Sequence, residues 1–290
     1  MAQPRSSGSQ PLDESGPAEL GEGVLWDSVD RRLYWLDILG STVFWRDEAG
    51  TVHSITLPHM PGMIAPYQPG RVLLATDFGF EVLDTATGES TTVAAVESDL
   101  TARRMNDGGI DPTGRVLAGT MSRTEDAGQG VLYRLDAERA VHPVLTALTI
   151  PNGIVWPTSD RVFYIDTPTR RIDEFEYHPE TPFGRRVRSI DVSDFAGSPD
   201  GMTLDAEGNL WVAFWGGSAV RCFSPTGDLL ETLRLPVRQP TSCAFGGHDL
   251  RTLYITSAYT GLGERRGELD GTVLTVADLA TGVPATAWSG

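Results

Sequence analysis

Ser198-Pro-Asp200-Gly201-Met-Thr-Leu-Asp205, followed by Leu210-Trp-Val-Ala-Phe and Ala219-Val-Arg-Cys-Phe, sets an oxygen-bearing side chain against a Gly and then runs into short apolar strands. The same phase recurs at Gly21-Glu22-Gly23, Asn106-Asp107-Gly108 and Pro151-Asn152-Gly153. Each copy leads into a pair of strands rich in Val, Ile, Tyr, Phe and Trp, such as Leu33-Tyr-Trp-Leu-Asp-Ile with Thr42-Val-Phe-Trp, or Val162-Phe-Tyr-Ile-Asp with Ile172-Asp-Glu-Phe-Glu-Tyr. With Val72, Val116 and Leu253 opening the remaining strand pairs, there are six copies. Anchors at Trp26, Pro66, Asp111, Trp156, Asp205 and Gly247 are spaced by 40, 45, 45, 49 and 42 residues. Strands of this composition, punctuated by Gly, Pro and Asp, read as all-β. A period of about 40–50 residues is that of a propeller blade. The expectation is an all-β, six-bladed β-propeller of four-stranded antiparallel blades around a central channel, over residues 19–290. Residues 1–18, rich in Ser, Gly, Pro and Gln without apolar periodicity, read as a flexible arm.

Charge narrows the partners. The 290 residues carry 39 acids against 23 basic residues, a formal charge of −16. Nucleic acid and anionic membranes need a basic face, so neither is expected. Every basic residue is Arg, which excludes Schiff-base and P-loop lysine chemistry. No stretch has the length of a membrane span or the apolar block of a signal peptide, so the expected location is the cytoplasm. Cys222 and Cys243 lie in or beside apolar strands and read as buried free thiols. The five His form no His-x-x-His or His-Glu-x-x-His pair, and Gly-x-Ser-x-Gly is absent.

The repeated phase supplies the candidate site. Taken singly, Asn-Gly and Asp-Gly are common turn dipeptides. Four copies in one phase of a ring would bring Glu22, Asp107, Asn152 and Asp200 together, and a turn does not require converging oxygens. Glu, Asn and Asp donors suit hard cations such as Ca²⁺, Mg²⁺ or Mn²⁺. Three or four protein ligands leave positions for water or substrate, as in a catalytic centre. Blade two has Met60-Pro-Gly-Met63 at this phase, which makes the channel mouth oxygen-lined on one side and apolar on the other. Arg104 and Asn106, two apart in an extended segment, share a face and could hold one polar ligand; an Arg paired with an Asp of a neighbouring blade is the alternative.

The chain resembles the SMP-30/gluconolactonase/regucalcin-like family of six-bladed propellers from about Leu20 onward. The resemblance is carried by Gly21-Glu-Gly-Val-Leu-Trp26, Arg104-Met-Asn-Asp-Gly108, Asp111-Pro-Thr-Gly-Arg115, Ala118-Gly-Thr-Met121, Ile150-Pro-Asn-Gly153, Pro199-Asp-Gly-Met202 and Thr241-Ser-Cys-Ala-Phe-Gly-Gly247. It implies a divalent metal held by Glu22, Asn152 and Asp200, Ca²⁺ foremost, with Zn²⁺, Mn²⁺ or Mg²⁺ as alternatives. It also implies that Arg104 and Asn106 bind the hydroxyls or ring oxygens of a sugar lactone, and that Asp200 doubles as acid/base for ring opening. Some relatives place an acidic substrate contact in the loop that is here Ser122–Gly130, with Thr124 or Glu125 nearest the matching place. The expected function is a metal-dependent lactonase acting on a small aldonolactone, as a monomer or weak homodimer. The alternatives are the same site acting on another ester, a phosphoester or a non-hydrolytic substrate, and a non-catalytic metal-binding propeller that recruits a partner. The segment Gly261–Asp270 reads as a rim or lid insertion or as a solvated loop.

Overall fold

The computed structural model describes residues 5–6, 8–12 and 16–290. Six sheets follow one another in sequence, each an antiparallel meander whose first strand lies at the axis. These inner strands are Gly21–Asp27, Pro61–Gln68, Arg103–Ile110, Pro151–Thr158, Ser198–Leu204 and Gln239–Gly246, and each packs on the next, the sixth on the first. The ring is therefore closed. The expected six-bladed propeller is the fold observed.

Packing explains the strand compositions. Second strands such as Arg32–Asp37 and Val116–Ser122 are buried along almost their whole length, because each blade is covered on both faces by its neighbours. Outer strands such as Ser90–Ala95 have no fully buried residue and lie half-buried to exposed at the rim. One apolar cluster fills each space between blades, for example Tyr34, Leu36, Ile64, Val72 and Leu74 between blades one and two. Cys222 and Cys243, both free and buried, share the cluster between blades five and six. Among the described residues no helix is long and apolar enough to cross a membrane.

The repeated Gly is not a turn residue. In all six inner strands the pairing register shifts at this phase: Glu22/Leu25, Pro61/Met63, Met105/Gly108, Asn152/Ile154, Pro199/Met202 and Pro240/Cys243. A bulge bends the strand and re-aims a side chain, here toward the axis. The Gly lets adjacent inner strands approach. A Cβ on Gly62 would stand 2.4 Å from Met105 O and 2.5 Å from its carbonyl carbon, and one on Gly153 would stand 2.9 Å from Asp200 O. Backbone cannot yield as a side-chain tip can. Gly62→Ala is expected to destabilise the propeller by about 3 kcal/mol, read as a lowered urea midpoint; an unchanged midpoint would show that the blades part freely there.

Both ends of the chain complete the ring. Blade six contributes three strands from the carboxyl half, and its outermost strand is Gln10–Pro11, antiparallel to Leu274–Ala277. Arg5–Ser6 pairs in parallel with Leu229–Arg234 at the edge of blade five. Of the stretch read as a flexible arm, residues 1–4, 7 and 13–15 lie outside the described residues. At the other end, residues 278–290 cross the mouth toward which the inner strands run. Ala206 N–H bonds Thr281 O at 2.7 Å, Trp288 N–H bonds Pro66 O at 2.9 Å, and Ser289 N–H bonds Gly114 O at 3.0 Å. The tail thus links blades five, two and three, with Trp288 buried against Tyr67.

Candidate active site

The polar residues of the repeat gather near the starts of the inner strands. Glu22, Asn106, Asn152 and Asp200 are buried, with 5–8 % of their surface exposed. The bulges of blades one, three, four and five supply them. Each acid is held the same way: the N–H of the following Gly donates to Glu22 at 3.2 Å and to Asp107 at 2.7 Å, and Gly201 does the same for Asp200. Among the described residues none of the three carboxylates forms an ion pair. Burial pushes Glu22 up to about 8, and the charge of Asp107 adds to it. Burial, then the charges of Glu22 and Asp107, hold Asp200 well above the usual carboxylate range, and burial raises Asp107 to about 6.

A cluster of desolvated, mutually repelling carboxylates is costly unless a cation joins it. Arg104 offsets the repulsion only from a distance. Burial lowers its own pKa to about 10, opposed by Glu22 and Asp200. Its Nη1 donates to Asn106 Oδ1 at 2.7 Å and to Met105 O at 3.0 Å, which among the described residues leaves Nη2 and Nε free to donate. Asn106 Nδ2 in turn donates to Pro151 O at 2.8 Å and Asn152 Oδ1 at 3.1 Å. Among the described residues Arg104 forms no ion pair with an Asp of a neighbouring blade.

Among the described residues no three Asp, Glu, His or Cys side chains stand together closely enough to hold a metal ion by themselves. Glu22 and Asp200 with Asp107 do not make such a cage, so a cation held here needs the amide oxygen of Asn152. Two carboxylates and an amide are all-oxygen donors, and the charge they lack is positive. That set fits a hard divalent cation with open positions.

The loop Arg123–Gln129, between the second and third strands of blade three, rises on the same face as the site. Thr124 is exposed; its Oγ1 donates to Asp126 at 2.5 Å and lies 2.9 Å from Ser122 Oγ. Its hydroxyl is thus engaged within the loop. Glu125, exposed and at φ 59°, is near enough to act electrostatically on Arg104. Arg123 fastens this loop to blade two, at 2.6 Å from Asp77 and 3.4 Å from Met60 Sδ. The apolar side of the mouth is Met60 and Trp215 against Leu20, Ile38 and Ala258. The Gly261–Asp270 segment is a folded rim: Asp270, 1 % exposed, accepts from Arg238 N at 2.6 Å and Gly267 N at 2.7 Å, and Arg266 stacks on Tyr259.

A cavity of about 540 Å³ occupies the other half of the channel. It is lined by Asp107 but not by Glu22, Asn152 or Asp200, and by Val283–Thr286 of the tail. The concave space and the polar cluster are thus adjoining parts of one channel, which meet at Asp107.

Residues 20–259 match the family described as the SMP-30/gluconolactonase/LRE-like region. The chain belongs to that family. It is 33% identical over 285 residues to regucalcin of Xenopus laevis, covering 94% of this chain and 95% of the relative. It is 34% identical over 260 residues to YvrE of Bacillus subtilis (strain 168), named as a candidate sugar lactone lactonase, with 88% of each chain covered. The crystal structure of a calcium-binding regucalcin from Agrobacterium tumefaciens superposes with a TM-score of 0.94 at 30% identity, over 100% of both chains.

Sequence reasoning overlooked Thr167. Its Oγ1 accepts from Asn152 Nδ2 at 2.8 Å and donates to Pro199 O at 2.8 Å, beside Asp200. The residue lies in a short 3₁₀ turn, Thr167–Thr169, with no feature that separates it from other loop threonines in sequence.

Proposed function

We propose that the chain is a divalent-metal-dependent lactonase that opens a small sugar lactone to its hydroxy acid. The observation that carries this reading is the cluster of buried Glu22 and Asp200 with half-buried Asp107, which among the described residues has no ion-pair partner and lies beside Arg104, whose Nη2 and Nε make no hydrogen bond there. The sugar-lactonase name of the Bacillus subtilis relative supports the reaction class, and the calcium-binding description of the Agrobacterium protein favours Ca²⁺ as the first cation to test.

Glu22, Asn152 and Asp200 would hold the cation, which when bound polarises the lactone carbonyl and acidifies water. Arg104, through Nη2 and Nε, orients the hydroxyls or ring oxygen of the sugar, and Asn106 carries that polar face toward Asn152. Asp200 accepts a proton from the attacking water as its oxygen bonds to the carbonyl carbon. The ring C–O bond then breaks, and the proton passes to the departing alkoxide to give the hydroxy acid. Met60 and Trp215 pack along the less polar edge.

Acid release across a panel of sugar lactones, followed with a pH indicator, tests this on chelator-stripped protein with and without Ca²⁺, Mn²⁺, Mg²⁺ and Zn²⁺. The expected result is turnover that appears only on adding metal. No release with any cation that the protein demonstrably binds would overturn the lactonase reading.

A further inference from the structure

An Asn ligand poses a problem that a carboxylate does not. Its two ends have opposite polarity, and only the oxygen can face a cation. Turned about, Asn152 would present its NH₂ to the metal and its oxygen to the surrounding protein.

A single file of hydrogen bonds decides the orientation. At one end stands Arg104, a guanidinium that can only donate. At the other stands the Pro199 carbonyl, which can only accept. Between them, Arg104 Nη1 donates to Asn106 Oδ1 at 2.7 Å, Asn106 Nδ2 to Asn152 Oδ1 at 3.1 Å, Asn152 Nδ2 to Thr167 Oγ1 at 2.8 Å, and Thr167 Oγ1 to Pro199 O at 2.8 Å. Because both ends have fixed sign, every intermediate group has one orientation. A flipped Asn152 would set its NH₂ against that of Asn106 and its oxygen against a hydroxyl already committed to Pro199.

We propose that Thr167 is a positioning residue for the metal centre: its hydroxyl fixes the polarity of the Asn152 amide, oxygen toward the cation, and ties that ligand to the strand carrying Asp200. The inference rests on the metal site proposed above. Thr167 touches neither cation nor substrate, and it acts through Asn152. Without the hydroxyl, Asn152 Nδ2 is a buried donor with no acceptor in its present orientation, and flipping it creates a donor–donor clash with Asn106. Partners of this kind typically change metal affinity by about 10–100-fold.

The test is calorimetric titration of Ca²⁺ and Mn²⁺ into chelator-stripped protein. Thr167→Val is expected to weaken binding by about 10-fold or more. Thr167→Ser, which keeps the hydroxyl, should restore it. The decisive arm repeats both substitutions in an Asn152→Asp background. A carboxylate has two like oxygens and nothing to orient, so there Thr167→Val should cost little. Thr167→Ala, read in the same two backgrounds, replaces the Val variant if melting shows that Val unfolds the chain. Equal losses in both backgrounds would overturn orientation as the mechanism. So would wild-type affinity in Thr167→Val, or failure of Ser to restore binding. If wild-type protein binds neither cation, the metal reading itself falls, an outcome distinct from a wild type that binds and a Val variant that binds equally well.

Discussion

Replacing Asp200 with Ala is expected to abolish lactone opening, by about 10³-fold or more, and to weaken cation binding in the same variant. The two losses are coupled because one buried carboxylate both holds the metal and moves the proton. Glu22→Gln provides the contrast. It removes a ligand charge but no proton acceptor, so saturating metal should recover much of its rate, whereas no metal concentration should rescue Asp200→Ala. The metal-free proteins should rank the other way. Deleting buried Asp200, which is repelled by Glu22 and Asp107, relieves the apo state, so stripped Asp200→Ala should melt above stripped wild type. Turnover by Asp200→Ala within about tenfold of wild type at saturating metal would remove Asp200 from the proton-transfer role.

The second large effect is the dependence of stability on pH and metal together. Asp107 and Glu22 are raised to about 6 and about 8 by burial, and Asp200 is raised as well. Between the ordinary carboxylate range and these values the metal-free folded state binds more protons than the unfolded chain. Its stability is therefore present at acidic pH and lost as pH rises through about 6 to 8. A cation reverses this by taking the place of the protons. Stripped protein should melt lower at pH 8.5 than at pH 5.5, by on the order of 5 °C, and Ca²⁺ or Mn²⁺ should raise melting strongly at the alkaline end and little at the acidic end. Thermal melts at the two pH values, with and without cation, measure both. A metal-induced rise of equal size at pH 5.5 and 8.5 would contradict the site's protonation.

Much of this was legible because a propeller repeats. The spacing of the strand pairs specifies six blades, and the phase of Glu22, Asp107, Asn152 and Asp200 within the repeat groups them before any geometry is known, while the narrower set of Glu22, Asn152 and Asp200 is what the family resemblance implies. What could not be read is what depends on contacts between copies. Asn-Gly and Asp-Gly look like turns because the dipeptide does not reveal that Gly62 faces Met105 O, or Gly153 faces Asp200 O, across a blade boundary. The orientation of Asn152 depends on Thr167 fifteen residues away, in a loop without periodicity. The strand Gln10–Pro11 is too short to carry an alternation pattern, and its partner lies at the far end of the chain. The tail over residues 278–290 is held by backbone hydrogen bonds at its ends and leaves no trace in the pattern of side chains.

The way blade six is shared between the two ends of the chain has a consequence for biogenesis. Gln10–Pro11 is made before its partner Leu274–Ala277, which follows about 260 residues later. At about 5–20 residues per second, that interval is roughly 13–50 s. Until blade six emerges, blade one lacks its neighbour on one side, and the nascent ring is a crescent with an uncovered blade face at either tip. Five blades can stack as they emerge, but the polar centre, which draws on blades one, three, four and five and needs their final spacing, can take its working shape only when the last strand meets the first. Assembly of this protein is thus a process with a latch, thrown only once Leu274–Ala277 can meet Gln10–Pro11, and the polar centre comes into being with the click.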